Sequence, residues 1–170
     1  MRKIRFSVAM SLDGYIAGPN GESDWIIMDP EIDFAALFGQ FDTILLGRRT
    51  FEAMAREGRT EMPGMKTVVI SSILRQSDYS GVTVVGSEYR VFLSALRNES
   101  GKDIWLFGGG ALFGSLLAAG LVDTVEVALI PVLLGGGISL LPSPASRTKL
   151  KLTSHRIYKS GIAMLTYATR

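Results

Sequence analysis

Phe107-Gly-Gly-Gly-Ala-Leu-Phe113 is the stretch that decides the fold, because three glycines stand there between a strand pattern and a helix pattern. Ile104–Phe107 is a short apolar run, typical of a strand buried on both faces. The apolar residues after the glycines recur at helical spacing: Leu112, Phe113, Leu116 and Leu117. A strand, a tight turn and a helix in succession indicate one unit of an α/β sheet.

The same alternation continues on both sides of this stretch. Four earlier segments and one later segment read as strands: Ile4–Ala9, Thr43–Leu46, Thr67–Ile70, Val82–Val85 and Val122–Ile130. Helices are predicted from Pro30 onward with Asp29 as N-cap, over Thr50–Arg56 with Thr50 as a cap, and along a stripe through Val91 and Leu96. The pattern predicts a mostly parallel sheet with helices on both faces.

The C-terminal part has a different pattern. Lys149–Tyr158 and Ile162–Thr169 are two strand-like runs around Ser160-Gly161, which predicts an antiparallel hairpin at the sheet edge. The length of 170 residues fits one domain over 1–170. The high apolar content and this hairpin also lead us to expect a homodimer.

Composition excludes several classes of protein. No cysteine is present, which rules out disulfides and zinc–cysteine sites and suits a reducing cytoplasm. His155 is the only histidine and cannot form a metal site alone, so no metal is expected. The net charge of +2 is scattered, which argues against a nucleic-acid partner. Val125–Gly137, interrupted by Glu126 and Pro131, is too short and broken to span a membrane.

Three of the predicted strands end in residues that suit a nucleotide. Gly108–Gly110 let a ligand approach the backbone at a helix start, although a plain tight turn explains the glycines equally well. Arg48 and Arg49 oppose the dipole of the helix they begin unless an anion lies beside them. Ser71-Ser72 closes a third strand. Ligands of α/β sheets bind beyond such strand ends, so we expect one binding edge.

These motifs occur in the order seen in dihydrofolate reductases. The ordered set is Ser11-Leu-Asp-Gly-Tyr-Ile-Ala17, Asp24-Trp25, Leu46-Gly-Arg-Arg-Thr-Phe51, Val69-Ile-Ser-Ser72 and Phe107-Gly-Gly-Gly-Ala-Leu112. With Pro131-Val-Leu-Leu-Gly-Gly-Gly137, it more closely resembles the reductase domain of the bifunctional riboflavin-biosynthesis deaminase–reductase and its stand-alone bacterial relatives. The resemblance implies a dihydrofolate reductase-like three-layer α/β fold, with a mixed sheet of about eight strands.

The resemblance implies NADPH as the cofactor and assigns residues to its parts. Arg48 and Arg49 are expected at the 2′-phosphate, and Ser71 and Ser72 at the adenosine. The resemblance also assigns one group of residues to the pyrophosphate and another to the nicotinamide. They are Gly47, Thr50, Gly108, Gly109, Gly110, Ala111 and Leu112 for the pyrophosphate, and Ala9, Asp13, Gly14, Ile16 and Ala17 for the nicotinamide. The resemblance also predicts a cis peptide at Gly108-Gly109, and we expect Gly110→Ala to cost little stability.

The substrate side is less closely matched. The resemblance places Asp33 as a catalytic acid that also contacts substrate, with Glu31 as a competitor and water as an alternative proton source. Trp25 is also assigned to the substrate, whereas Ala128 stands where the family's supporting threonine would be. The expected activity is NADPH-dependent reduction of a small planar heterocycle, of riboflavin-pathway 5-amino-6-(5-phosphoribosylamino)uracil type or pterin type. A non-catalytic nucleotide-binding module on the same fold is the alternative.

Overall fold

One sheet of eight strands organises the structure, which is a computed structural model describing residues 1–143 and 145–169. Its strands are β1 Ile4–Ser11, β3 Phe41–Gly47, β4 Lys66–Ile70, β5 Val82–Val85, β6 Asp103–Gly108, β7 Thr124–Ile130, β9 Lys151–Ile157 and β10 Ala163–Ala168. Their order across the sheet is β5-β4-β3-β6-β1-β7-β10-β9. The first six strands of this order, from β5 across to β7, pair in parallel with their neighbours. β10 pairs antiparallel with both β7 and β9. The predicted fold class is confirmed.

The helices form layers on both faces of the sheet. They are α1 Phe34–Phe38, α2 Arg48–Arg56, α3 Tyr89–Asn98 and α4 Gly110–Ala118, with a short 3-10 helix at Gln76–Asp78. Leu45 is fully buried in the core that contains the buried residues of α3 and α4. Its neighbours in the strand, Ile44 and Leu46, face the other core with Phe51 of α2. This alternation buries β3 on both faces and explains its continuous apolar run.

Two helix starts differ from the prediction. The N-cap of α1 is Asp33, not Asp29, because the Asp33 carboxylate accepts the Ala36 N–H at 2.8 Å. Buried Asp29 instead accepts N–H groups from Glu31 and from the distant Ser160. The expected cap at Thr50 is also wrong: α2 begins two residues earlier, at Arg48, with Gly47 as its N-cap.

A second sheet of two short strands was not foreseen. β2, Tyr15–Ala17, pairs antiparallel with β8, Ile138–Ser139. Segments of three and two residues are too short to show a periodicity. This small sheet joins the loop after β1 to the segment after β7.

The amino ends of the strands carry the paired charges. Arg5 donates to both carboxylate oxygens of Glu126, at 2.6 and 3.0 Å, and Glu126 is buried. Burial alone would lower the pKa of Arg5, but Glu126 and Asp103 more than offset it and raise that pKa. Arg97 donates to both oxygens of Asp123 at 2.8 Å. These pairs fix the edge opposite the glycine-rich strand ends. Among the described residues, none of the helices is long and apolar enough to cross a bilayer.

Candidate nucleotide-binding site and adjoining pocket

The carboxyl ends of four neighbouring parallel strands bring the predicted nucleotide residues to one edge. In the order β4, β3, β6, β1, these ends carry Ser71-Ser72, Gly47–Thr50, Gly108–Gly110 and Ala9–Ser11. The three strand ends that the sequence pattern predicted to share one edge do so, and the end of β1, which the family resemblance added, lies beside them. The cis peptide at Gly108-Gly109 is confirmed.

At the centre of the rim, the N-termini of α2 and α4 lie side by side. Their N-caps are Gly47 and Gly109, and neither has a side-chain cap hydrogen bond. A Cβ added at Gly109 would lie 3.1 Å from Thr50 Oγ1, and one at Gly47 would lie 3.6 Å from the Gly108 carbonyl oxygen. The first N–H groups of a helix have no partner inside it. Two such helix ends side by side place backbone N–H donors together, which suits a pyrophosphate.

The two arginines at the start of α2 differ in their surroundings. Arg48 donates to both carboxylate oxygens of Glu52, at 2.9 and 3.0 Å, so its charge is already compensated. Arg49 is exposed, and the part of the chain that the structure describes offers its side chain no hydrogen bond or ion pair. A phosphate at this helix end would therefore find its strongest available partner in Arg49.

The two serines after β4 also differ in their surroundings. The Ser71 hydroxyl oxygen accepts the N–H groups of Ile73 and Leu74, both at 3.1 Å, and the residue is buried. Ser71 therefore shapes the loop after β4. Ser72, the next residue, is exposed.

Gly110 serves packing as well as the rim. A Cβ there would lie 2.8 Å from the Ser139 carbonyl oxygen and 2.9 Å from that of Leu140. Both oxygens belong to backbone, which cannot rotate away as a side chain could. These contacts contradict the premise that a side chain at Gly110 meets no obstacle, so we now expect Gly110→Ala to lower stability. Ala111 is exposed, whereas the Leu112 side chain is buried in the core.

The loop after β1 is held from across the molecule. The Asp13 carboxylate accepts hydrogen bonds from the Ser11 hydroxyl at 2.7 Å, from Leu134 N–H at 3.1 Å and from Gly135 N–H at 2.7 Å. The Ser11 bond, followed by the two backbone bonds, lowers the pKa of Asp13. Asp13 thus ties the loop to the glycine-rich segment after β7. In β2 beyond it, Ile16 and Ala17 are half-buried.

An apolar pocket of about 130 Å³ adjoins the rim on the face that carries α1. Ala9 belongs to both, since it lines the pocket and lies near the carboxyl end of β1. Trp105 forms one wall, stacked on Phe38 at a ring distance of 5.0 Å. Sequence reasoning did not assign Trp105 to a site, because its position in a buried strand reads as ordinary core.

The residues assigned to the substrate lie outside this pocket. Asp33 is exposed and engaged in capping α1, and it is not among the lining residues. Trp25 is likewise absent from the lining, and its indole N–H donates to the Glu22 carbonyl oxygen at 3.0 Å. The next three residues, Ile26, Ile27 and Met28, do line the pocket. The competing acid, Glu31, is exposed and faces Lys159 at 3.4 Å.

Comparison with known families agrees with this arrangement. Residues 2–164 match the model of the RibD C-terminal domain. The chain belongs to the RibD C-terminal domain family. The match includes all four strand ends of the rim and the pocket residues beside them, so the family spans the whole candidate site.

Individual relatives extend this result. The uncharacterized protein YyaP of Bacillus subtilis (strain 168) is 34% identical over 178 residues, which cover 98% of this chain and 94% of YyaP. A crystal structure of a Shewanella sp. PV-4 protein provisionally assigned to riboflavin biosynthesis superposes with a TM-score of 0.83 at 25% identity. That match covers 100% of this chain and 99% of the other.

The fold is shared more widely. Dihydrofolate reductase from Enterococcus faecalis, solved with NADP(H) and RAB-propyl, has a TM-score of 0.69 at 22% identity, covering 98% of this chain and 95% of that one. This likeness confirms the dihydrofolate reductase-like fold. Membership of the RibD C-terminal domain family makes this chain an oxidoreductase-type domain related to riboflavin biosynthesis.

Proposed function

We propose that this RibD-family protein is an NADPH-dependent reductase, passing a hydride to a small planar heterocycle or a related carbonyl or imine. The observation that carries the proposal is the contact between two uncapped helix N-termini, α2 and α4, with Arg49 exposed beside them. A dinucleotide with a pyrophosphate and a separate 2′-phosphate matches this arrangement of donors. The cofactor would supply the hydride, and the protein its position.

The rim provides a place for each part of the cofactor. The first turns of α2 and α4 would hold the pyrophosphate through Gly47, Thr50 and Gly108–Leu112, mainly by backbone N–H groups. Arg49 would hold the 2′-phosphate, with Arg48 beside it. Ser72 would contact the adenosine side, while Ser71 maintains the loop that carries it.

The remaining part of the cofactor would lie toward the pocket. Ala9 belongs to both regions, so a nicotinamide near it would face a substrate ring in the pocket. Gly14, Ile16 and Ala17 would lie along the same loop, positioned by the bonds of Asp13. This continuity supports catalysis over the alternative, a non-catalytic nucleotide-binding module.

Water is the proton source that best fits the pocket. None of the described residues that line it is acidic, and Asp33 is exposed and occupied in capping. Water at the pocket mouth would protonate the substrate atom that receives the electron pair.

The proposal is tested by titrating the protein with NADPH and NADH in a calorimeter, comparing wild type with Arg49→Ala. Loss of a charged hydrogen bond should weaken NADPH binding roughly tenfold or more and leave NADH binding unchanged. Arg56→Ala, an exposed arginine at the other end of α2, is the matched control. Equal wild-type affinity for the two cofactors would refute the assignment. NADPH oxidation with planar carbonyl and imine compounds then separates an enzyme from a binding module.

We also propose a homodimer formed through the terminal hairpin. Every residue of β9 is exposed, including Leu152 at 48% and Ile157 at 65%, with Leu150 beside it at 42%. β9 is also the outermost strand of the sheet. A second copy would cover both this apolar surface and the open edge.

A further inference from the structure

The pocket beside the rim contains no charged group among its described lining residues. Aliphatic and aromatic side chains form nearly all of its surface, with Ile26, Phe34, Ala128 and Met164 on four different elements. Ser7 is one of its few polar residues, and the Ser7 carbonyl oxygen already accepts the Trp105 indole N–H at 3.1 Å. A ligand with many polar groups would therefore lose bonds to water without gaining partners.

A charged residue beside the pocket on β7, Glu126, is already paired. On the β1 side, Glu126 pairs in register with Ser7 and accepts hydrogen bonds from two of the three nitrogens of the Arg5 guanidinium. Asp103 lies 3.4 Å from the same guanidinium, so this cluster has no excess positive charge to attract an anionic substrate.

At the outer rim of the pocket, beyond Met164, two cations meet two carboxylates. Arg156 pairs in register with Met164. It lies 3.8 Å from Glu31, and Lys159 lies 3.4 Å from the same carboxylate. Arg156 also contributes to the lowered pKa of Asp29, although the Ser160 hydrogen bond is the larger cause. The four formal charges sum to zero, so this rim provides no net positive site for a phosphate.

The pocket volume sets the size of the group it encloses. About 130 Å³ is available. Apolar protein cavities of about 150 Å³ are known to accept benzene. The pocket therefore has room for one six-membered ring, and larger substituents would extend outward past exposed Met28.

We infer that the substrate is an uncharged, largely apolar single-ring carbonyl or imine, rather than a phosphorylated ribosylaminouracil. This inference rests on the proposed reductase function. The carbon of the C=O or C=N bond accepts a hydride from the reduced nicotinamide, and the π electrons move to oxygen or nitrogen. That atom takes a proton from water, which balances the reduction, and the nicotinamide leaves oxidised. The Trp105 indole is already stacked on Phe38 and Phe41, so the substrate ring would contact its remaining exposed part, with Ala9 in the same lining.

The test measures ring binding without cofactor. In a Trp25→Phe protein, Trp105 is the remaining tryptophan, and its fluorescence reports occupancy of the pocket. The probes are benzaldehyde, 4-carboxybenzaldehyde, and 5-amino-6-(5-phosphoribosylamino)uracil. Benzaldehyde should bind at least about tenfold more tightly than either anionic compound, because their charges find no partner.

A matched pair of variants localises the effect. Met164→Gln should weaken benzaldehyde binding roughly tenfold, whereas Met164→Leu, which keeps the apolar volume, should bind like the parent protein. The same compounds are then offered with NADPH, and NADPH oxidation should follow the binding order.

The inference is overturned if the phosphorylated aminouracil binds as tightly as benzaldehyde, or if benzaldehyde does not bind. Failure of the reductase proposal is seen separately, as absence of heat in a parallel NADPH titration. In that case the fluorescence result still decides which ring the pocket accepts.

Discussion

Alanine at two adjacent glycines should separate cofactor binding from folding. A methyl group at Gly109 would meet only Thr50 Oγ1, at 3.1 Å, whereas one at Gly110 would meet two backbone oxygens at 2.8 and 2.9 Å. The hydroxyl of Thr50 can rotate away, but the carbonyls of Ser139 and Leu140 can move only with their chain. The two variants add the same atoms one residue apart, so each is a control for the other.

The contact distances set the size of the stability effect. Overpacking against immobile atoms costs about 1–3 kcal/mol. For a protein of this length, about 2 kcal/mol corresponds to a Tm lower by roughly 4–8 °C. We expect that decrease for Gly110→Ala. Gly109 has an extended backbone conformation that alanine also adopts, so Gly109→Ala should melt close to the parent protein.

Cofactor binding should show the opposite order of effects. The Gly109 methyl would stand at the N-cap of α4, between the two helix N-termini, where the pyrophosphate is proposed to lie. Loss of about two hydrogen bonds to a charged group should weaken NADPH binding by more than tenfold.

The assay combines a thermal melt and a calorimetric NADPH titration on the same preparation of each variant. Binding of NADPH to Gly109→Ala with the parent affinity would refute the proposed pyrophosphate position. A parent-like melting temperature for Gly110→Ala would show that the Ser139 and Leu140 carbonyls do not constrain that position.

Three further predictions concern stability and assembly. Glu126→Gln removes the buried carboxylate that pairs with half-buried Arg5 but leaves Asp103 nearby, so we expect a loss of about 2–3 kcal/mol in urea unfolding. An unchanged unfolding midpoint would contradict this prediction. The folded-state pKa of Asp13 lies below its unfolded value, so its stabilisation is present above the unfolded pKa and is lost as the pH falls through the folded pKa. Asp13→Asn should therefore lower stability at neutral pH and reduce acid sensitivity in this range, and parallel pH–stability curves would refute this. Sedimentation should show a species of twice 18.4 kDa that becomes monomeric in Ile157→Lys, whereas a wild-type monomer at micromolar concentration would exclude the proposed dimer.

The rim could be predicted from sequence because its rule is local. A motif that directly follows a buried strand, such as Gly47 or Gly108, lies at the carboxyl end of that strand. The carboxyl ends of parallel strands lie at the same edge of the sheet. Arg49 and Ser72 both follow such strand ends, so the sequence alone places them on the same rim.

The region around α1 could not be predicted in the same way. Asp29 and Asp33 both precede helix-compatible residues, and local chemistry favours either as a cap. The choice depends on Ser160, 131 residues away, whose N–H bonds to Asp29 and removes it from the helix. The pocket also depends on a contact between distant residues, because it forms only when α1 packs on the sheet and Phe38 stacks on Trp105. Long-range contacts of this kind leave no periodic signal in the sequence.

A crystal structure of the protein with NADPH is the most direct test of the central claim. We predict a pyrophosphate between the N-termini of α2 and α4, within about 3 Å of their first backbone N–H groups, and the 2′-phosphate beside Arg49. The nicotinamide should lie next to Ala9 and face the apolar pocket. A surface recess of about 340 Å³ lies at the other end of α2, between Met54 and Pro63. NADPH bound in that recess, with the glycine rim empty, would contradict the account.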